Sequence, residues 1–482
     1  MRSTALLPAA VLVAATSTAV AQDRCTPASN EPTAAAWLER AAAATGLSRM
    51  NGRILHYRAM QNAEQNFQSD RTYPPFFSAY ASQEIWFDGA SGTERVRSEN
   101  VYPRSGPARG PETVYTPRSS WLVRDTVFQP IEALHRLGTY QRALNPLAVI
   151  GDWQRDGSAK VEGRCIYRDF PRVALRRPDG SRLFIDPKTA IPVKLETRER
   201  HFLWGTVLAE YLWSTWTLVD GITVPTSSFR LADGAIEISR TMGQAALVSA
   251  DGTPKLSVPD PQLAMDASVV PMFLRPDRPD TVRVGPNTFL LVNRGYTQAV
   301  TLARDTVFVF DATQGEERAR QDSVWIGALF PGRHPIVVVV TDLAWPHIAG
   351  VRFWVANGAT VVSHQSFRPF LEQVVSRRWP EPDALEQRRR PMRFRPVTDS
   401  LTLAGGAVRL FAINGIGSEG ALMGWVPDDR FLWAGDFIQD ADAPSQYLNE
   451  VKAAVGRVGI APTRTAAQHL PLTEWAKLEQ LR

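Results

Sequence analysis

The feature that most constrains the fold is the apolar run "IVVVV" from Ile336 to Val340, which ends at the polar pair Thr341-Asp342. A strand whose successive residues are all apolar is buried on both of its faces. A short amphipathic helix is predicted from Pro346 to Asn357, and a second strand begins at "ATVVSH". Strands that alternate with helices in this way favour an α/β arrangement in this part of the chain.

The residues on either side of this run extend the pattern. The segment 281–313 is predicted to form a series of strands, and "RARQDSVWIGALFPG" (residues 318–332) a helix that ends at a glycine. An arginine-rich run between Arg377 and Arg395 is interspersed with prolines and acidic residues. Such a run is typical of a solvated loop, and we favour that interpretation over an anion-binding patch.

The first half of the chain has a different pattern. "AAAWLERAAAATG" (residues 34–46) predicts a helix with a glycine stop. From about Arg53 to Leu247, short strands separated by Asp-Gly turns predict an antiparallel sheet with no evident catalytic constellation. A proline-rich segment follows. We therefore predict an antiparallel β-rich domain over 22–252, a linker over 253–280 and a second domain over 281–482.

Residues 1–21 are typical of a secretory signal peptide. Arg2 supplies a positive start, Ala5–Ala15 a short apolar core, and Ala19-Val20-Ala21 a cleavage site of small residues. This apolar core is too short to span a bilayer, and no other stretch of the sequence is long enough. We therefore expect an exported protein, periplasmic or secreted, with no transmembrane span.

Composition places few further limits on function. A hydrophobic content of 44% and a charged content of 21% are ordinary for a soluble globular protein. The formal net charge of +5 is small for 482 residues and by itself argues nothing about nucleic acid. We expect a small-molecule or apolar ligand and no nucleic-acid partner. Export permits a disulfide between the two cysteines, Cys25 and Cys165, but the sequence leaves open whether they meet.

Four motifs in the second half resemble those of the metallo-β-lactamase fold superfamily. They occur in the family's order between about residues 280 and 475. They are "VVVVTDLAWPHIAG" (337–350), "GATVVSH" (358–364), "LFAINGIGSEGALMGWVPDDRFLWAGDFI" (410–438) and "RTAAQHLPLTEW" (464–475). The resemblance implies a C-terminal four-layer αββα sandwich, preceded here by the β-rich domain, so the predicted fold class is α+β.

The resemblance also implies a metal site, but much of the family's ligand set is replaced. The family's T-H-x-H-x-D-H motif retains only its last histidine, His347, and its later bridging aspartate and closing histidine are retained as Asp436 and His469. The positions of the lost ligands hold Asp342, Ala344, Pro346 and, after the first motif, Gly417. The resemblance therefore implies a degraded dinuclear site, whose three-histidine half has lost its ligands.

Two histidines and one carboxylate can still hold one divalent ion, zinc or another, at an open three-ligand site. Asp342 would then act as an auxiliary ligand or as a proton acceptor. The simpler interpretation is structural: His347 bonding to the corner backbone, His469 shaping a turn and Asp436 capping its loop. His364 lies where the family often has a histidine that is not a ligand, and we expect a structural role for it.

Two functions therefore remain open. The first is a single-metal hydrolase that cleaves an ester, lactone or amide bond in a small-molecule substrate. The alternative is a catalytically inactive pseudoenzyme that acts as a periplasmic binding or scaffold protein for an apolar or envelope ligand. The second fits a faint resemblance of residues 182–199 and 219–229 to the curved half-barrels of periplasmic lipoprotein carriers, which implies a concave sheet.

Overall fold

The computed structural model describes twelve stretches of the chain. They are residues 25–27, 30–50, 52–63, 79–102, 106–110, 112–124, 127–130, 140–201, 203–259, 279–293, 296–416 and 419–481. The predicted signal peptide, residues 1–21, lies outside them, as do Gly417 and residues 260–278 of the predicted linker. Among the described residues, no helix is both long and apolar enough to cross a membrane.

Fifteen antiparallel strands of the first region form one sheet, as the pattern of short strands and Asp-Gly turns predicts. Its spatial order is β1, β9 to β15, β2 to β4 and β6 to β8, with β5 paired to β4. The strands are β1 (Cys25–Thr26), β2 (Ile54–Ala63), β3 (Ala79–Asp88), β4 (Thr93–Tyr102), β5 (Gly106–Arg109), β6 (Glu112–Tyr115), β7 (Ser120–Arg124), β8 (Val127–Pro130), β9 (Lys160–Tyr167), β10 (Phe170–Arg176), β11 (Arg182–Ile185), β12 (Pro192–His201), β13 (Gly205–Val219), β14 (Ile222–Ala232) and β15 (Ala235–Val248).

Among the described residues, two longer helices pack against this sheet. Helix α1 (Ala34–Thr45) matches the predicted helix, and α2 (Pro146–Asp156) begins at Asn145, whose side chain accepts a hydrogen bond from the Leu147 amide. Both helices bury large apolar side chains in the main core of the region, among them Trp37, Leu147 and Trp153. Cys25 and Cys165 are joined by a disulfide, which answers the question that the sequence left open.

The second region contains two sheets. The first, in the order β16 to β22, is antiparallel from β16 to β19 and parallel from β19 to β22. It consists of β16 (Asp280–Arg283), β17 (Thr288–Asn293), β18 (Tyr296–Ala303), β19 (Thr306–Phe310), β20 (Ile336–Val340), β21 (Thr360–His364) and β22 (Arg393–Val397). Its helices are α3 (Glu316–Leu329), α4 (Trp345–Ile348), α5 (Val351–Ala356), α6 (Arg368–Ser376) and α7 (Ala384–Arg388).

The other sheet is smaller. It runs from β23 to β28 and comprises β23 (Ser400–Leu403), β24 (Val408–Ala412), β25 (Leu422–Val426), β26 (Phe431–Trp433), β27 (Arg464–Ala466) and β28 (Thr473–Glu474). Helices α8 (Gln446–Val458) and α9 (Trp475–Glu479) follow β26 and β28. Tyr447, Val451 and Trp475 from these helices share a core with Met423 and Leu432 of the sheet.

The valine strand β20 is buried on both faces, as its sequence predicts. Val338 and Val340 belong to a core that also contains Ile348 and Leu371 from the helices. Val339 points the other way, into a core shared with Trp433 and Leu422 of the smaller sheet. Since side chains alternate along a strand, one run of valines contributes to two separate cores.

The single helix predicted from Pro346 to Asn357 was wrong in one respect, because the structure breaks it into α4 and α5. The break lies at Gly350, whose amide donates a hydrogen bond to the Ala312 carbonyl at 2.7 Å. The amide of Ala312 in turn donates to the His347 carbonyl, also at 2.7 Å. A Cβ on residue 350 would lie 3.0 Å from the Ala312 oxygen. The loop after β19 therefore packs closely against the junction of α4 and α5.

The two regions are joined at the turn between β12 and β13. Leu203 of that turn is buried in the core that β20 shares with the helices of the second region. Trp204 packs edge-on against Trp345 and Phe370, with ring centroids 6.1 and 5.5 Å apart. Arg377 donates a hydrogen bond to the Trp204 carbonyl and pairs with Asp233 of the first region. The first region therefore packs directly against α4, the short helix that carries His347.

Candidate metal centre

The corner after β20 positions His347 through one carboxylate. Asp342 is fully buried, and its Oδ1 accepts a hydrogen bond from the Ala344 amide at 2.8 Å, which closes a tight turn before α4. The same oxygen accepts a hydrogen bond from His347 Nδ1 at 2.8 Å. Nδ1 therefore carries a proton, and Nε2 is turned towards Asp436.

Asp436 follows β26 and is held in a crowded loop. Gly435, which precedes it, has a φ of +58°, and a Cβ there would lie 2.6 Å from Thr341 Oγ1, so a larger residue would push the two strand ends apart. Gln439 donates a hydrogen bond to Asp436 Oδ1 at 3.1 Å. The carboxylate is therefore fixed close to the corner that carries His347.

His469 lies in the turn after β27. The amide of Gln468 donates to the Gly435 carbonyl at 2.8 Å, which ties this turn to the Asp436 loop. His469 remains about one-third exposed, whereas His347 and Asp436 are almost completely buried. The site therefore opens to solvent on the His469 side.

The structure brings the three predicted ligands together. His469 Nε2 lies 3.5 Å and His347 Nε2 3.8 Å from Asp436 Oδ1, and one ligand atom from each residue lies within 4.8 Å of the others. A tetrahedral ion with bonds of about 2.1 Å holds its ligand atoms roughly 3.4 Å apart. The donor set therefore suits one divalent ion, whose binding would draw the three ligand atoms closer together than the 4.8 Å within which they lie.

Asp342 lies outside this group of three. Its two carboxylate oxygens are 2.8 and 3.1 Å from Nδ1 of His347, the ring nitrogen that faces away from Asp436. The structure therefore places Asp342 behind the His347 ring, on the side of Nδ1, and the roles of auxiliary ligand and proton acceptor both stay predictions. A carboxylate in that place orients a metal-binding imidazole and raises its basicity.

Buried charges shift the pKa values at this site. Burial opposes protonation of His347, but Asp342 and Asp436 outweigh it and raise the pKa of the imidazole to about 9. Burial raises the pKa of the Asp436 carboxyl to about 7, and the negative charges of Asp342 and Asp311 act in the same direction. Three buried carboxyl groups around one imidazole create a local field that favours a cation.

The sequence analysis missed Asp311 at the end of β19. Its carboxylate accepts hydrogen bonds from the Thr341 amide and hydroxyl, both at 2.8 Å, and from Trp433 Nε1 at 3.0 Å. It thereby joins the ends of β19, β20 and β26. The sequence did contain a sign of this residue. Asp311 directly follows the apolar segment "VFVF", just as Thr341-Asp342 follows the valine strand. Since these two strands are parallel neighbours, their polar end residues lie at the same edge of the sheet.

Tyr296, at the start of β18, was also missed. Its ring centroid lies 4.9 Å from that of His469 and 6.3 Å from that of His347. Nothing in the local sequence distinguishes it from other tyrosines at strand ends. His364, in contrast, has the structural role that we expected, because its Nδ1 accepts hydrogen bonds from the Ser366 hydroxyl and amide.

Comparisons with known proteins give only distant likenesses. No model of a protein family matches the sequence, and no curated protein matches it. Similar solved structures include the DIM-1 metallo-β-lactamase (16% identity, TM-score 0.33) and a metallo-β-lactamase from Erythrobacter litoralis (13% identity, TM-score 0.33). Each covers 42% of this chain and 94% of its own. At these TM-scores, the likeness establishes neither a family nor an activity for this chain.

Proposed function

We propose that the second region is a four-layer αββα domain of the metallo-β-lactamase type, with one divalent metal ion bound by His347, Asp436 and His469. One observation carries the proposal: helix α4 and two loops bring two imidazoles and a carboxylate within 4.8 Å of one another. The two sheets share one core, and each has helices packed against its other side, as such a sandwich requires.

Each residue of the chain has a distinct task in this proposal. Asp342 holds the Nδ1 proton of His347, so that the lone pair of Nε2 is available. Gln439 holds Asp436, and Asp311 fixes the ends of the strands from which the loops leave. The half-exposed ring of Tyr296 shields one side of the histidine pair, and His469 faces the solvent from which a substrate would approach.

The reaction class follows from this donor set. A divalent ion at an open three-ligand site lowers the pKa of bound water and polarises a carbonyl group. We infer hydrolysis of an ester, lactone or amide in a small molecule, with zinc or another divalent ion, in an exported protein. Proline occupies the position of the family's second-site aspartate. Asp342 would accept the hydrogen bond of the His347 Nδ1 proton and hold that ring while Nε2 binds the ion.

A second candidate is the inactive pseudoenzyme that binds or scaffolds an apolar or envelope ligand. It is favoured by the ion-pair geometry of His347, which lies between Asp342 and Asp436 and has a raised pKa. A protonated His347 would satisfy both carboxylates without any metal. In that case the site is a structural charge cluster and the β-rich region carries the function.

Metal content of the purified mature protein, measured by mass spectrometry, tests the two candidates. We expect about one divalent ion per chain in the native protein and none in a His347→Ala/His469→Ala variant. His334→Ala is the matched control, because His334 bonds to the Asp305 and Pro331 carbonyls in another loop. Absence of metal from the native protein, even after incubation with zinc, would leave the pseudoenzyme as the better account.

A further inference from the structure

We propose that the second region docks on the anionic headgroups of a lipid bilayer through a row of arginines, at the edge of the domain that lies opposite the metal centre. This basic edge consists of six exposed residues: Arg304, Arg333, Arg388, Arg390, Arg393 and Arg409. For the run that contains Arg388, the sequence alone favours a solvated loop. The structure joins three residues of that run to arginines from other segments, and the proposal does not depend on a bound metal.

The strand order brings these side chains together. Strands β19 to β22 are parallel neighbours, so their first residues share one edge of the sheet and their last residues share the other. The corner with His347 follows the last residues of β20. Arg304 and Arg333 come shortly before β19 and β20, and Arg393 is the first residue of β22. Since neighbouring strands are about 4.8 Å apart, the segments of Arg304 and Arg393 lie roughly 14 Å apart along this edge.

Three of the arginines meet at the end of helix α5. Arg388 Nη1 donates a hydrogen bond to the Ala356 carbonyl at 3.3 Å. Arg393 donates to the Gly358 carbonyl, and the guanidinium of Arg390 lies against the same glycine. These backbone partners carry no net charge. They hold the three guanidinium groups in place and leave their positive charges uncompensated.

The smaller sheet continues the same edge. The Arg304 guanidinium lies against the turn between β23 and β24, and Arg409 follows that turn on β24. On the β20 side, the imidazole of His334 contacts the Asp305 carbonyl at 3.0 Å, so the turn that carries Arg333 packs against the turn that carries Arg304. The arginines of the two sheets therefore lie along one continuous edge.

The positive charge of this edge is in excess. Among the described residues, none of the six arginines forms an ion pair with a carboxylate, whereas the buried Arg352 pairs with Asp383. The acidic side chains of the adjacent segments are fewer and include Asp305, Glu386 and Asp428. At physiological ionic strength a charge acts over about 8 Å, so the fields of neighbouring arginines overlap. The edge therefore attracts an extended anionic surface more strongly than it attracts a single small anion.

The form of the edge favours a lipid surface over a nucleic acid. Its arginines come from turns, strand starts and the short helix α7, so the described part of this edge offers no long helix that could enter a DNA groove. Phe394, the aromatic residue beside Arg393, packs against the core under the helices and is not available to stack on a base. Binding to anionic headgroups requires only that several arginines approach the surface together. In that orientation, the opposite edge with the metal centre faces the solution.

Sedimentation of the full mature chain with lipid vesicles tests the proposal. We expect binding to vesicles of phosphatidylcholine and phosphatidylglycerol in equal parts, no binding to vesicles of phosphatidylcholine alone, and release at high salt. Arg388→Gln/Arg390→Gln/Arg393→Gln should weaken binding to the mixed vesicles roughly tenfold or more, since three charges near the surface are lost. Because two of these side chains also bond to the backbone, Arg304→Gln/Arg409→Gln is a second variant that leaves those contacts intact, and it should weaken binding as well.

Arg49→Gln/Arg58→Gln/Arg168→Gln is the matched control, because it removes three exposed arginines of the first region. It should bind the mixed vesicles as tightly as the native chain does. Equal weakening by the control and by the two variants of the edge would show that net charge alone is responsible, and it would overturn the proposal. Failure of the native chain to bind the mixed vesicles at low salt would also overturn it, as would equally tight binding of a double-stranded DNA oligonucleotide.

Discussion

His347 Nδ1 and Asp342 Oδ1 lie 2.8 Å apart, and both side chains are buried in the corner between β20 and α4. The Asp342 carboxylate lies on the Nδ1 side of the His347 ring, so it holds His347 and is not one of the three residues whose possible ligand atoms cluster. In the function proposed above, it would support His347 as a ligand from behind.

This relationship makes Asp342→Asn the most informative change at the site. An amide cannot hold the Nδ1 proton as a carboxylate does, so His347 loses the preferred tautomer and part of its basicity. We expect metal affinity to fall by roughly 10- to 100-fold with the fold retained. Competition with a chromogenic chelator measures the affinity, and near-ultraviolet circular dichroism checks the packing.

Asp305→Asn is the control for this prediction, because Asp305 lies in the exposed turn between β18 and β19. It should leave metal affinity unchanged. Unaltered affinity in Asp342→Asn would show that Asp342 does not set the state of His347. A loss of affinity accompanied by loss of the near-ultraviolet signal would show only that the corner had unfolded.

The sequence contained most of the information about the second region. The strand β20 was predictable because an uninterrupted apolar run must be covered on both faces. The closeness of His347, Asp436 and His469 agrees with the order of their motifs, and their role as ligands stays a prediction. The break between α4 and α5 was not. It depends on the approach of the Ala312 loop to Gly350, a contact between segments that no local pattern records.

Local sequence patterns also could not predict the contacts between the first region and the second. His201, Leu203 and Trp204 are separated from α4 by more than a hundred residues, and their contact with Trp345 exists only once both regions have folded. Tyr296 illustrates the same limit, since its closeness to His469 comes from the pairing of β18 near the turn after β27. Sequence periodicity indicates which face of an element is buried, but not which distant side chain meets it.

The packing of Leu203 predicts that the two regions unfold together. Leu203 belongs to the first region by sequence but is 1% exposed in a core of the second. Leu203→Ala should lower the free energy of unfolding by about 2–5 kcal/mol. Leu218→Ala is a matched control on β13, because Leu218 is 69% exposed and its truncation should change little. Chemical denaturation followed by tryptophan fluorescence measures both, and a change confined to one of two separate transitions would contradict coupling.

The disulfide predicts a redox-dependent stability. Cys25 and Cys165 are 140 residues apart, and a cross-link of that span restricts the unfolded chain strongly. In the entropic model, its loss should lower the free energy of unfolding by about 4–5 kcal/mol. A Cys25→Ser/Cys165→Ser variant measures this, and a reducing agent should destabilise the native chain but not the variant. Equal sensitivity of both proteins to the reducing agent would count against the disulfide as the cause.

His201 predicts acid sensitivity at the junction of the two regions. Its Nδ1 accepts hydrogen bonds from the Leu203 and Trp204 amides at 3.1 Å, which requires a neutral acceptor nitrogen. Burial lowers the pKa of the imidazole to about 3, and the charges of Arg230 and Arg377 add to this effect, although Glu237 lies 3.7 Å from Nε2. In the unfolded chain, the pKa is about 6.5.

Between these two values, the unfolded state binds a proton that the folded state excludes. The contribution of His201 to stability is therefore complete above pH 6.5 and falls as the pH drops towards 3, by about 2 kcal/mol at pH 5. His201→Asn keeps an acceptor oxygen near the two amides but cannot bind a proton in this range. His347, whose raised pKa acts in the opposite direction, is common to both proteins. The difference between their unfolding free energies should thus shrink or reverse between pH 7 and pH 5, and a constant difference would show that His201 is not excluded from protonation.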